Sequence, residues 1–250
     1  MKFLKVFFAF IFLVSFKSFA TSQVSDYLII KEDTLAIQSN PLEGYFKDHP
    51  IPGKFITSIS SANWRGYIAY FKFLDGKLVV ENIYKEIYKE NSNGKADYLL
   101  TSIYEDVFGT NSNFECNYYS GLLICPSGKI LQYVPMGYSS IYESYNLMEI
   151  KNGVNLKSKK FNAEEFHKFK RDYFKYFKRT EEYKRKAKDF KETIQSDLSN
   201  GLYLSENPGI GRKNESLKAK EAEFKADKQV DSFMFAFLND YMKTIEIPTN

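Results

Sequence analysis

The spacing of apolar positions changes twice along the chain. Val6 to Phe16 is an unbroken uncharged run behind Lys2 and Lys5, and Ser18 and Ala20 follow as small residues two apart. A positive start, a short apolar middle and a small-x-small end predict a secretory signal over residues 1–20, cleaved after Ala20. This run of eleven residues falls short of the roughly 20 that a hydrocarbon core requires. From Asp26 the period is that of strands. DYLII (26–30) and DTLAIQS (33–39) read as short strands. In NPLEGYF, Asn40 is placed to cap a short helix and Pro41 to begin it, with an end before Pro50. Asn63 to Ile83 predicts a hairpin about an Asp75-Gly76 turn, with Phe73 opposite Leu78, Phe71 opposite Val80 and Ala69 opposite Asn82. Gly66 interrupts its first strand and leaves open which way Trp64 and Arg65 point. LLTSIYEDVFG predicts a brief helix ending at Gly109, Pro126 to Lys129 a turn, and residues 137–158 two more strands about a Lys-Asn-Gly turn.

Near residue 161 the spacing becomes helical. Asn162 and Glu165 make a capping box. Phe166, Phe169, Tyr173, Tyr176, Thr180, Tyr183, Ala187, Phe190 and Ile194 then recur in alternating steps of three and four, one stripe over about eight turns. A Gly- and Pro-bearing connection (198–213) precedes a second helix expected from about Glu215 to Ile245. The expected fold class is α+β: a mainly antiparallel β domain over 21–160, then a C-terminal pair of long helices forming a helical hairpin over 161–250.

Charge alters the choice of partners. The chain carries 35 basic and 31 acidic residues. Lys2, Lys5 and Lys17 lie in the leader, so the mature chain is 32 to 31, or +1. No overall electrostatic pull on nucleic acid is therefore expected. The first long helix holds eleven Lys/Arg against eight Asp/Glu, which reads as a solvated face over a buried seam.

The two cysteines stand in CNYYSGLLIC, residues 116–125. A two-residue turn at Ser120-Gly121 sets Cys116 opposite Cys125 on a non-hydrogen-bonded pair, about 4.5 Å between Cα atoms, which a disulfide tolerates. An exported chain meets an oxidising compartment. The expectation is one structural disulfide, Cys116–Cys125. Zinc needs about four ligands, and besides the cysteines only His49 and His167 are available, both remote in sequence. No metal site and no cofactor are expected.

Catalytic patterns are sparse. There is no G-x-S-x-G and no Cys near a His, and NPGIGRKNES lacks the phosphate-loop spacing. Glu105-Asp106 and Glu143 are formal candidates for a carboxylate pair. The stronger signal is aromatic. Trp64, Arg65 and Tyr67, with Tyr138 and Tyr142, combine indole, guanidinium and phenol groups of the kind that anchor interfaces. The alternative is a core Trp and an Arg satisfied by carbonyls.

ANWRGYIAYFKFLDGKLVVENI and YYSGLLICPSGKILQYVPMGYSSIYE also resemble a family of uncharacterised bacterial proteins. These share a Trp-Arg-Gly-Tyr strand, a Ser-Gly hairpin followed by Pro-x-Gly-Lys, and a Met-Gly-Tyr turn. The resemblance covers residues 26–150 and implies a compact β-rich bacterial domain, with no activity attached to it. Members of that family lack the cysteine pair, which makes the expected disulfide an adaptation to export.

The expected function is an exported, non-catalytic binding protein of the bacterial envelope, periplasmic or secreted, with a protein or glycan as partner and no membrane span once the leader is cut. An inhibitor or immunity-type protein is one form of it. The competing expectation is an envelope hydrolase acting on glycan or peptidoglycan through paired carboxylates.

Overall fold

Strand-period and helix-period stretches fold against each other as an α+β structure built on one large mixed sheet. The computed structural model describes residues 22–51, 61–90, 96–110, 113–199 and 229–248. The expected signal, the connection between the long helices and the expected start of the second one lie outside these residues. The strands are β1 (Asp26–Ile30), β2 (Asp33–Ile37), β3 (Ile68–Leu74), β4 (Lys77–Glu90), β5 (Ala96–Ser102), β6 (Phe114–Glu115), β7 (Gly121–Gln132), β8 (Ile141–Lys151) and β9 (Val154–Asn162). Short helices α1 (Glu43–Asp48) and α2 (Tyr104–Phe108) lie between strands, and α3 (Ala163–Phe177) and α4 (Glu181–Ser199) follow them. Residues 229–236 are helical (α5) and run into a 3-10 turn, Leu238–Tyr241.

The sheet order is β2-β1-β3-β4-β9-β8-β7, with β5 and β6 also on β4. Pairs are antiparallel except β1 with β3. The link between β4 and β9 is a single pair, Lys77 with Val154. At the other end the Gln38 N–H donates to the Ile124 carbonyl at 2.8 Å, so the path curls back until β2 approaches β7. A sheet curled in this way has two packed faces. On β7, Leu123 and Cys125 enter one core while Leu122 and Ile124 enter another. On β8, Met148 and Ile150 alternate with Tyr145 and Leu147 in the same manner. That two-sided burial explains the unbroken apolar run LLIC, as in any strand covered on both faces.

The β3–β4 hairpin turns at Asp75-Gly76, both at positive φ, and pairs Phe73 with Leu78 and Phe71 with Val80 as expected. Ala69, however, pairs with Ile83 rather than Asn82. An extra residue, Glu81, bulges out between Val80 and Asn82 and shifts the register by one. Residues 99–102, expected to start a helix, extend β5, and the helix is confined to Tyr104–Phe108 before Gly109. Pro126 to Lys129 is not a turn. β7 runs through it with a bulge at Gly128, where Glu143 stands against the missing side chain. Asn40 does not cap α1. Its side chain is engaged elsewhere, and Leu42 takes the cap position.

The cysteine hairpin does not form. Tyr119 N–H donates to the Cys116 carbonyl, so the chain turns at 116–119, ahead of Ser120-Gly121. This earlier turn is tied to the β8–β9 turn. Gly153 N–H donates to the Tyr119 carbonyl, and Asn152 N–H donates to the Ser120 hydroxyl. Cys116 N–H donates to Leu78, while Cys125 pairs with Asn146 on β8. Pairing with β8 thus takes the partner that a local hairpin would have used. Cys116 and Cys125 are two buried free thiols rather than a disulfide.

Over the helical stretch, the capping box forms as expected, with Asn162 accepting from Glu165 N–H and Glu165 accepting from Asn162 N–H. The single long helix expected from 162 onward is two. α3 stops at Phe177, and Thr180 caps α4 by accepting from Tyr183 N–H. The break lets Phe177 remain buried while Phe190 stacks on Phe233 at 4.2 Å. The helix expected to reach Ile245 ends earlier. Beyond the 3-10 turn the chain is extended, and Leu122 N–H donates to the Met242 carbonyl while Ile245 N–H donates to buried Glu149. A helix there would leave both β-sheet groups without these partners.

Burial pushes both thiols up to about 12, so neither reacts readily in the folded state. Ellman's reagent should find no fast-reacting thiol in the native protein. It should find two after unfolding in guanidinium without reductant; a count of zero would restore the disulfide.

Candidate functional site

Trp64-Arg65-Gly66 occupies a turn, not a strand. Gly66 N–H donates to Asn63, and Gly66 adopts a φ of 75°, a conformation suited to glycine. The turn sends the two neighbouring side chains in opposite directions: Trp64 is 56% exposed and Arg65 4%.

Arg65 enters a fully buried ion pair. Its Nη1 donates to Asp26 Oδ2 at 2.7 Å and its Nη2 to the Val24 carbonyl at 2.8 Å. The other carboxylate oxygen of Asp26 accepts from Ala69 N–H at 2.8 Å. Burial pushes the Asp26 carboxyl up, against the pull of Arg65 and of the Ala69 N–H. Burial also disfavours the guanidinium, but the charge of Asp26, with Tyr138, Tyr67 and the hydrogen bond to Asp26, together outweighs it and raises Arg65.

Around this pair the aromatic candidates gather. Tyr67 lies beneath the guanidinium, 5.0 Å from its centroid, and donates to Glu43 Oε1 at 3.0 Å. Tyr138 donates to Asn40 Oδ1 at 2.8 Å, and the Asn40 amide donates to both oxygens of Asp240. Asp240 is exposed at the rim, yet neighbouring atoms crowd its carboxyl. That burial pushes it up to about 6, with Arg65 pulling down and Glu43 pushing up. The structure therefore brings Arg65, Tyr67 and Tyr138 together, but as a buried polar hub closed to solutes. Tyr142 is not part of it; it packs edge-on to Tyr145 in the second core.

Trp64 has other company. Residues 22–24 are clamped between two loops. Val24 N–H donates to the Ala62 carbonyl, and Gln23 N–H donates to the Gly137 carbonyl. Trp64 follows Ala62 by two residues, and Met136 precedes Gly137. The second loop and the strand feeding it expose Ile130, Leu131, Tyr133 and Met136 at 41–61%. A bare Trp on a turn anchored by a buried ion pair, next to a loop of bare apolar side chains, has the make-up of a recognition surface.

The carboxylate candidates separate. Glu143 accepts from Lys129 N–H and serves the β7 bulge. Glu105 and Asp106 line an open cleft of about 660 Å³ with Glu81, Lys72, Asn82 and Tyr104. Glu81 reaches it through the bulge in β4 and pairs with Lys72. His49 stacks on Tyr45 at 4.4 Å and is exposed. Among the described residues no group of three or more His, Cys, Asp or Glu is placed to hold a metal ion, and no helix is long and apolar enough to cross a membrane.

Asp26, Asn40 and Asp240 were missed by sequence reasoning. Asn40 and Asp240 stand 200 positions apart, a distance no local pattern spans. Lys170 was also missed. It is only 7% exposed on the inner side of α3 and faces a small cavity. Its signal was legible, for 170 lies four after Phe166 and three before Tyr173, on the apolar stripe itself. Comparison with known protein families, with curated proteins and with solved structures finds no match.

Removing one member of a buried ion pair leaves the other charge uncompensated, at about 3–5 kcal/mol. Asp26→Asn should lower urea-unfolding stability by that order, and Asp26→Leu combined with Arg65→Met should cost less than the two single changes summed. Simple additivity would show that the pair does not organise the hub.

Proposed function

We propose that this chain is an exported, non-catalytic binding protein of the bacterial envelope. Its recognition surface is the Trp64 turn together with the 130–136 strand end and loop. The partner class is a protein or a glycan; inhibition of a second macromolecule, in the manner of an immunity protein, fits the same surface. The observation that carries this reading is the 56% exposure of the chain's single Trp on a turn held from beneath by Arg65. A large aromatic side chain on a rigid base loses little entropy on binding and makes an effective anchor. Export rests on the charge and apolar pattern of residues 1–20 alone, since free thiols lend it no support. A helical pair of α4 with α5 in the tail belongs to the same reading, and the Phe190–Phe233 stack and the Tyr183 to Asp231 hydrogen bond support it.

The second reading, an envelope hydrolase, is favoured by one observation: Glu81, Glu105 and Asp106 share one open cleft. Its described walls are polar, with Tyr104 as the one aromatic among the described lining residues, whereas glycan sites stack sugar rings on aromatic faces.

Because Trp64 is the only indole, its fluorescence reports the proposed surface directly. The protein should be recovered from the periplasm with Thr21 at its N-terminus. Purified peptidoglycan fragments or envelope protein fractions should blue-shift its emission, and Trp64→Ala should weaken capture of the same partner at least tenfold. Unchanged capture would remove the surface from consideration. Release of soluble fragments from peptidoglycan, abolished in Glu105→Gln/Asp106→Asn, would establish the hydrolase instead.

A further inference from the structure

Lys170 presents an imbalance that the proposed recognition surface does not use. Its side chain is almost fully enclosed, between the first turns of α3, the 138–141 segment and α5. Among the described residues its ammonium has no hydrogen-bond or ion-pair partner; the nitrogen lies over the ring of Phe235, 5.2 Å from its centroid. A buried ammonium has three donors to satisfy, and an unpaired one is costly. Burial pushes it down to about 8, and only the more distant charge of Asp240 acts in the opposite direction. Below that pH the group is charged and still lacks a counter-ion.

Beside it lies a cavity of about 80 Å³, lined by Tyr138, Ser139, Ser140, Phe166, His167 and Phe235 as well as Lys170. No carboxylate lines it among the described residues. At about 30 Å³ per water, it has room for two or three waters, or for one small oxyanion. Most of its polar neighbours are already engaged. Tyr138 donates to Asn40, Tyr145 donates to the Ser140 carbonyl, and the Ser140 hydroxyl serves both backbone groups of Val134. The Ser139 hydroxyl has no partner among the described residues, and exposed His167 stands at the rim. Burial, Arg171 and Lys170 hold His167 below its ordinary value.

We propose that this cavity is a binding site for a small oxyanion, a free carboxylate or tetrahedral anion, held by the Lys170 ammonium with the Ser139 hydroxyl and the His167 ring as further donors. The Phe166 and Phe235 rings exclude water from the pair and strengthen the charge-assisted bond. Binding joins the strand domain to the helical tail, because the lining residues come from both.

Sulfate is a suitable probe, since its charge is constant from pH 6 to 9. At fixed ionic strength balanced with chloride, millimolar sulfate should raise the melting temperature of the full chain in a saturable manner at pH 7. The apparent affinity should fall about fivefold from pH 8 to pH 9, as Lys170 loses its proton. The other charged or titratable groups facing Lys170 are His167 and Arg171 on α3, Asp240 from the C-terminal turn, and Tyr138 and Tyr145 from the opposite wall. Lys170→Met keeps the length and removes the charge. Without sulfate it should be at least as stable as the parent, and it should show no sulfate-specific shift. Absence of saturation in the parent, or an equal shift in Lys170→Met, overturns the proposal. Amine labelling read by mass spectrometry decides independently of the variant's folding. Sulfate should protect Lys170 severalfold, and labelling unaffected by sulfate overturns the site.

Discussion

The ion pair between Arg65 and Asp26 is the constraint on which the arrangement depends. Two charges with no exposed side-chain surface tolerate few geometries: here both Asp26 oxygens and both terminal guanidinium nitrogens are answered, while the Arg65 Nε–H has no partner among the described residues. Asp26 opens β1, Ala69 lies in β3, and Val24 belongs to the segment that enters the sheet; one carboxylate and one guanidinium hold all three. The parallel pairing of β1 with β3 has no short hairpin to enforce its register. The ion pair supplies that enforcement. It also faces Trp64 outward, since the neighbouring residue is drawn in.

The second organising fact is that the sheet is covered on both faces. The inner core holds the apolar residues of β1, β3 and β4 with both cysteines, and the outer core holds the aromatic face of α3 with the apolar face of α5. The C-terminal segment is part of this arrangement rather than an appendage. Asn239 donates to the Gln38 carbonyl, Met242 accepts from Leu122, and Ile245 donates to Glu149. These contacts cross the curled sheet near the place where β2 approaches β7. They help to close a sheet whose β4–β9 joint is a single pair. The cavity beside Lys170 is a by-product of this docking, formed where α3 and α5 meet the 138–141 segment.

Two surfaces then carry chemistry of different kinds. The Trp64 loops are apolar and exposed, and form the proposed recognition surface. The Glu81, Glu105 and Asp106 cleft is polar and open, created by a bulge that turns one carboxylate toward a short helix. The buried thiols belong to neither. They are small apolar residues in a packed core, raised by burial and without a base nearby, which is how most buried cysteines behave.

What the sequence by itself determined was everything governed by neighbours a few residues apart. The Asp75-Gly76 turn, the first two strands, the α2 stop at Gly109, the Asn152-Gly153 turn and the Asn162/Glu165 capping box all follow from backbone preferences and short-range hydrogen bonds. The helical stripe marked the buried side of α3, and even placed Lys170 on it. What only the tertiary structure decided was how equivalent local options were resolved by distant partners. Cys116 and Cys125 were well placed for a hairpin, but β8 and the 152–153 turn offered more hydrogen bonds to the same segments. Asn40 was a sound cap, but Tyr138 and Asp240 claimed its amide. Arg65 read as an interface residue until a carboxylate 39 positions away took it inside. Local pattern prescribes which backbone conformations are cheap; which polar group is answered by which depends on the chain's closure in space, and that closure is encoded only by all the residues acting together.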